Sequence, residues 1–260
     1  MGKLFGEERV VRLQPPLFYA PPANRDGDII ILSADEARHA GKVLRLERGA
    51  IVVVVDGLGN ACRGELASVS ARKVTVKVHS DVRDFGEPSV RLTLAAGLSV
   101  GFKFDSAVQR GTELGVSRFV PLITDKSKVT FDDPKRARTK VNRWGKVALA
   151  SMKQCRRSVM PEIATPTRFE SFLSQLDRDD TGLIFHPGGG SIGIDLVEFP
   201  ERGHRISLLV GPESGFSEDE IRLAVDAGLT AVNLGRRVLR TETAGPTVVA
   251  LVMARLGEFR

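Results

Sequence analysis

Cysteine is almost absent: Cys62 and Cys155 are the two in 260 residues. They lie far apart and form no CxxC pair, so neither a disulfide framework nor a cysteine-based zinc site is expected. Both read as reduced thiols. Histidine is scarce as well. His39, His79, His186 and His204 are scattered, without the spacing of a metal site, and no metal is expected. No apolar run approaches the ~20 residues that span a bilayer. The opening MGKLFGEERVVRLQPP lacks the apolar core of a signal peptide. The expectation is a soluble, cytoplasmic protein. The phosphate-cradling patterns GxxxxGK(S/T) and GxGxxG are missing, and so is the GxSxG turn of a nucleophilic serine. The missing GxGxxG disfavours a Rossmann-type oxidoreductase.

What is present supports a sizeable core. Hydrophobic residues make up 42% and charged residues 27%, as in ordinary globular proteins. The length suggests about two domains. The formal net charge is +6, and a basic balance favours polyanionic partners. That charge is not spread evenly. Residues 126–157 hold eleven Lys or Arg against two acids, Asp132 and Asp133. This local surplus exceeds the charge of the whole chain, so the remainder is slightly acidic. A solvated helix face usually mixes both signs, whereas a one-signed field suits contact with a phosphate backbone.

The chain changes rhythm once. Residues 17–82 read as short strands with tight turns. DIIIL (28–32) is an apolar run, AIVVVVDGLGNACRGELASV (50–69) is a strand, a Gly-rich turn and a return strand, and RKVTVKVHS (72–80) alternates. One helix, opened by Ser33 with Glu36 as a capping box, fits among them. The pattern predicts a small β-barrel. RDFGEPS (83–89) reads as a linker. From residue 90 to 260, strand and helix alternate. Strands are predicted at 90–98, 118–124, 182–187, 205–211 and 230–235. Helices are predicted at 104–115, from Asp133-Pro134 onward, from Ser217 with Glu220 to Gly228, and at the C-terminus. Such alternation predicts an α/β domain with a mainly parallel sheet and helices on both faces.

Two of these strands end in glycine and open into loops. In open parallel sheets, ligands bind beyond the carboxyl ends of strands. The first loop is GPESGFSEDE (211–220), where Gly211, Pro212 and Gly215 fix a turn and Glu213 offers a carboxylate. Alone, this also fits an ordinary strand-to-helix loop. The second is LGRRVLRTETA (234–244). Gly235 permits unusual backbone geometry, Arg236, Arg237 and Arg240 crowd around it, and Glu242 begins a helix where the dipole favours an acid. HPGGGSIG (186–193) is glycine-rich, and as consistent with a surface loop as with a ligand contact.

Together these segments resemble the RsmE family of SPOUT-superfamily methyltransferases. LLVGPESGFSEDEI (208–221) and LGRRVLRTETA (234–244) are similar to its two cofactor-loop motifs. GFKFDSAVQRGTELGV (101–116) and QCRRSVMPEI (154–163) match its other signatures, and HAGKVLRLERG (39–49) with DGLGN (56–60) matches its N-terminal PUA-like barrel. The resemblance covers nearly the whole chain beyond about residue 17. It departs from the family pattern at Ser214, Lys153, Arg156 and Gly245-Pro246. It implies a C-terminal α/β-knot SPOUT domain with a deep trefoil, behind a PUA-like RNA-binding barrel. It also implies a homodimer, S-adenosylmethionine as cofactor, and N3 of a uridine in 16S ribosomal RNA of the small subunit as target. By resemblance, the backbone around Leu209, Gly211 and Pro212, and around Leu234, Gly235, Val238 and Leu239, wraps the cofactor. Glu213, Gly215, Arg240 and His186 stand beside it. Arg45, Lys103, Arg110, Arg143 and Arg157 are expected to contact RNA.

The chemistry implied is difficult because N3 carries a proton and is a weak nucleophile. A carboxylate can take that proton, and an arginine can stabilise charge developing on the uracil oxygens. Arg240 is the candidate stabiliser, and Glu242 or Glu213 the candidate base. A salt bridge that holds Arg240 is an equally good role for Glu242. The target base must be unpaired or flipped. Two rivals stay open here: an RNA-binding assembly factor without catalysis, and a SPOUT enzyme with another RNA target.

Overall fold

The structure, a computed structural model, describes residues 14–70, 73–129, 133–177, 179–199 and 205–259. His204, Asp132 and the first thirteen residues lie outside the described residues. Contacts divide the chain into two compact units between Phe85 and Gly86.

The first unit is built on β1 (Leu17–Tyr19), β2 (Arg25–Asp26), β3 (Ile29–Ile31), β4 (Ile51–Val55), β5 (Asn60–Val69) and β6 (Val74–Arg83). They form one sheet in the order β1-β4-β5-β6-β3-β2. The β1–β4 pairing is parallel and the others are antiparallel. The turn after β4 is held by Asp56, whose Oδ1 accepts the N–H groups of Leu58 and Asn60 at 2.7 and 3.0 Å. This is the local mechanism by which Asp initiates turns. Alternate residues Val52, Val54, Cys62, Leu66, Val74 and Val76 fill the core. Helix α1 (Ala34–Arg38) is capped by Ser33, whose Oγ accepts the Glu36 N–H at 3.3 Å. It is shorter than its pattern predicts, because His39–Val43 continues as a π-helical turn.

The second unit contains β7 (Arg91–Gly97), α2 (Lys103–Glu113), β8 (Arg118–Ile123), α3 (Pro134–Cys155), β9 (Glu162–Ile163) and β10 (Thr167–Arg168). There follow α4 (Phe169–Leu173), β11 (Thr181–Phe185), β12 (Ile192–Gly193), β13 (Arg205–Val210), α5 (Glu218–Asp226), β14 (Thr230–Asn233) and α6 (Thr241–Arg255). The strand order is β10-β8-β7-β13-β11-β14-β12, with β9 also on β8. Every pairing described in this sheet is parallel. Successive strand residues serve opposite faces. Leu92, Leu94 and Leu208 pack with Trp144 of α3 and with Val248 and Val252 of α6. Ala95, Leu209 and Ile184 pack on the other side with Phe169 and Phe172 of α4 and Ala224 of α5. Burial of both faces explains the near-continuous apolar runs of these strands.

Helix α3 begins as its sequence predicts. Pro134 occupies the first turn, and the Asp133 carboxylate accepts the Lys135 N–H at 2.8 Å. It ends at Arg156, which adopts the left-handed conformation at φ 66°. The expected linker is structured at both ends: Arg83 closes β6, and the Asp84 N–H donates to the Gly59 carbonyl at 2.8 Å. Glu87 is buried and accepts hydrogen bonds from Ser158 N and Val159 N, each at 2.8 Å.

Candidate active site

Three strand ends meet at one rim of the parallel sheet. β13 ends at Val210, β11 at Phe185 and β14 at Asn233, with β11 between the other two. The loops that leave them therefore rise side by side. Gly97, the last residue of β7, makes room for the first of these: a Cβ there would lie 2.4 Å from the Pro212 nitrogen. Beyond that turn the loop is pinned to the end of β8. Glu220 accepts both the Ser217 N–H at 2.7 Å and the Asp125 N–H at 2.9 Å, and Lys126 Nζ donates to the Phe216 carbonyl at 2.9 Å. Ser217 Oγ accepts the Glu220 N–H in return, completing the capping box of α5. At the second loop, Gly235 takes φ 84° and donates its N–H to Asn233 Oδ1 at 3.1 Å.

Between the loops lies a cleft of about 630 Å³. Its walls include His186, Gly211, Pro212, Glu213 and Gly215 from the first two strand ends. Leu234, Gly235, Val238, Leu239, Arg240 and Glu242 come from the third. The structure thus brings together every residue that the sequence proposed for cofactor or catalysis except Leu209. Leu209 is fully buried inside β13, paired in register with Ala95 and Ile184, and lies below the cleft. The site also uses residues that sequence reasoning missed. Phe185, Val210 and Val232 are the strand-end apolar residues of the cleft, and Ser214, Arg237, Thr241 and Ala244 complete it. Phe185 and Val210 are the last residues of their strands, and Val232 is the last but one of β14.

Lys103 is the main reassignment. Expected on RNA, it lies in the cleft wall. Its Nζ donates to Glu213 Oε1 at 2.7 Å and stands 3.9 Å from Glu242 Oε2. One cation from α2 thereby links the carboxylates of both loops. Partial burial alone would push the Glu213 carboxyl up, but the hydrogen bonds from Lys103 and from its own backbone outweigh this. Its pKa is therefore lowered from the ordinary value. A carboxylate held as a stable anion is a weak proton acceptor. Glu242 differs: it sits in the first turn of α6, its side chain is 29% exposed, and its Oε2 has no hydrogen-bond partner. Arg240 is 87% exposed and stands 4.0 Å from Glu242 Oε1. At that distance and exposure the pair is a weak clamp.

The other expected RNA contacts separate. Arg45 is exposed in the first unit, with φ 52°. Arg143 is part-exposed, paired with Asp105 at 2.8 Å. Arg110 donates from Nη1 to the Glu242 carbonyl at 3.3 Å. Arg157, also expected on RNA, is enclosed. Its side chain is 3% exposed, and it donates to Glu87, to the Thr112 carbonyl and to the Val116 carbonyl. A guanidinium so enclosed is turned to the protein interior and holds the fold.

Comparison with known proteins gives the same outline. Residues 86–253 match the family model of an RNA methyltransferase domain, and residues 32–78 that of an RNA methyltransferase PUA domain. The chain is 31% identical over 219 residues to the ribosomal RNA small subunit methyltransferase E of Bacillus subtilis, covering 82% of this chain and 85% of that protein. A crystal structure of a ribosomal RNA small subunit methyltransferase E from Neisseria gonorrhoeae bound to S-adenosyl methionine is similar at TM-score 0.84 and 27% identity, over 95% of this chain and 100% of that one. A Legionella pneumophila protein solved with bound SAM is similar at TM-score 0.82 and 30% identity, over 94% and 98%.

Proposed function

The chain belongs to the RNA methyltransferase family that contains ribosomal RNA small subunit methyltransferase E, and from that membership we propose that it methylates N3 of a uridine in 16S ribosomal RNA of the small subunit, with S-adenosylmethionine as donor. The observation that carries this reading is the cleft itself. Its volume of about 630 Å³ falls in the range of small-molecule sites. Its apolar walls suit an adenine ring, its glycines bare main-chain groups for hydrogen bonding, and Glu213 suits a cationic end. When bound, the donor supplies a methyl group already activated on a sulfonium.

The protein's own residues then act on the acceptor. Glu242 takes the N3 proton as the N–CH3 bond forms and the S–CH3 bond breaks. Arg240 stabilises the negative charge that gathers on the uracil carbonyl oxygens. Lys103 and Glu213 fix the two loops and orient the donor. The family's trefoil knot and homodimer are part of this reading. The chain path supports the knot: β14 lies beyond β11, yet α6 packs on β13 and β7, so the 234–240 loop carries the chain back across the end of β11. The composition of α6 supports a dimer. No charged residue occurs between Val248 and Ala254, and Leu251 stays 38% exposed after the core has taken its neighbours. Among the described residues no helix is long and apolar enough to cross a membrane, which suits a ribosomal substrate in the cytoplasm.

The test is transfer of labelled methyl to unmodified small subunits and to free ribosomal RNA, with mass mapping of the product. Arg240→Ala is expected to lose on the order of 10²–10³-fold in rate with its melting temperature unchanged. Full activity in that variant would refute the role of Arg240. Glu242→Gln is expected to lose rate, and Glu213→Gln affinity for the donor. Calorimetry with the donor alone decides against a non-catalytic RNA binder.

A further inference from the structure

Helix α2 opens in a way that local rules disfavour. The residue at its N-cap is Phe102, which has no side-chain hydrogen bond to the helix. Ser, Thr, Asp or Asn at that position is worth about 1 kcal/mol of helix stability. The ring gains little in return from the core, because Phe102 is 67% exposed. Its neighbour Gly101 takes φ 86°, and the other neighbour, Lys103, lines the cleft. A broken local rule without burial in the core is expected at functional or strained positions.

The surroundings of the ring indicate what it meets. The Arg143 guanidinium lies 4.4 Å from the ring centroid, and Arg143 Nε is paired with Asp105 at 2.8 Å. Asp105, itself 13% exposed, holds the guanidinium in place. Arg143 also borders a surface groove on α3 with Thr139, Asn142 and Lys146. Helix α3 carries seven Lys or Arg and no acid. Ring, guanidinium and cationic helix therefore run outward from the residue that lines the methyl-donor cleft. Unstacked bases bind flat aromatic rings and guanidinium planes, while their phosphates follow cations.

Resting on the methyltransferase reading above, we propose that Phe102 and Arg143 form a stacking platform for an unpaired base of the substrate RNA next to the methylated uridine, with the α3 groove taking the adjoining phosphates. The platform is distinct from the cleft, so losing it impairs RNA capture and leaves donor binding intact.

The probe is fluorescein-labelled octauridylate, followed by anisotropy, with Phe102→Trp, Phe102→Leu and Phe102→Ser in the full chain. Stacking on one base is worth ~1–3 kcal/mol. The Leu and Ser variants are therefore expected to bind roughly 5- to 150-fold more weakly, and the Trp variant within about threefold of wild type. In methyl transfer, KM for small subunits rises and kcat changes little. Calorimetric affinity for S-adenosylmethionine is unchanged. Phe102→Ser, which restores a capping hydroxyl, melts no lower than wild type. Unchanged octauridylate binding in the Leu and Ser variants overturns the platform. So does a change in sedimentation of the Ser variant, which would assign the ring to contact with a second copy of the chain. If wild type binds octauridylate but methylates no ribosomal RNA, the functional reading fails instead.

Discussion

Glu87 illustrates how much a single residue can carry. Its Oε1 accepts two backbone amides beyond α3, and its Oε2 accepts Arg157 Nε and Nη2 at 3.0 and 2.8 Å. Replacing Glu87 by Ala leaves the buried Arg157 cation without its counter-charge, although its bonds to the Thr112 and Val116 carbonyls remain, and leaves two amides without partners. A loss of about 3–5 kcal/mol is expected, measurable by chemical denaturation. The sequence places Glu87 in a polar stretch and Arg157 in a basic one, so nothing local reveals the pair. Its members meet because the fold brings together residues 70 positions apart. In the first unit, Asp81 bonds Arg25 at 2.6 Å and Cys62 Sγ at 2.9 Å. The Arg25 hydrogen bond, then that of Cys62, holds the Asp81 carboxyl below its ordinary value. A depressed acid stabilises the fold above its unfolded value, near 3.9, and that contribution disappears as pH falls through the folded value. The stability gap between wild type and Asp81→Asn should therefore be full at about pH 6 and close below about pH 4, as denaturation curves at each pH would show. Burial first, and then the Asp81 bond, pushes the Cys62 thiol up to about 12, so alkylation at neutral pH should be slow until the protein unfolds.

Among the elements, α6 poses a physical problem that the structure answers. Pro246 lies inside the helix and has no N–H for the carbonyl four residues back, which is Glu242. Arg110 donates to that same carbonyl. An α2 side chain thus substitutes for a missing backbone donor at the turn that carries the proposed base. Arg110→Ala should destabilise the unit by roughly 1 kcal/mol, the usual worth of such a bond. In a Pro246→Ala background, where the amide returns, the same change should cost much less. A double-mutant cycle by denaturation measures this coupling. The sequence signals the start of α3 through Asp133-Pro134 and of α5 through Ser217 with Glu220, because caps are local chemistry. It does not signal β9, β10, β12 or α4. These are two to five residues long, too short for any period, and the strands among them are fixed by pairing with β8 or β14. The π-helical turn at His39–Val43 is equally silent in the pattern.

At the scale of the whole molecule, the alternation of strands and helices foretells a parallel sheet, but not the order of its strands. That order sets β11 between β13 and β14, and so brings residues near 186, 211 and 235 into one cleft. Only the family resemblance linked the two loop motifs beforehand. Charge is distributed as the sequence indicates, with seven cations and no acid along α3. RNA affinity should therefore fall steeply with salt. Replacing Lys140 and Lys146 together by Ala should reduce the slope of log affinity against log salt by about two, if each meets a phosphate; filter binding across a salt series tests it. A cavity walled by three distant stretches of chain exists only while the sheet between them is intact. Whatever fills it must therefore oppose unfolding by mass action, by about 2.7 kcal/mol at a hundred times its dissociation constant. Heating the protein with graded amounts of a compound would rank occupants of the cavity by thermal shift, without RNA or turnover.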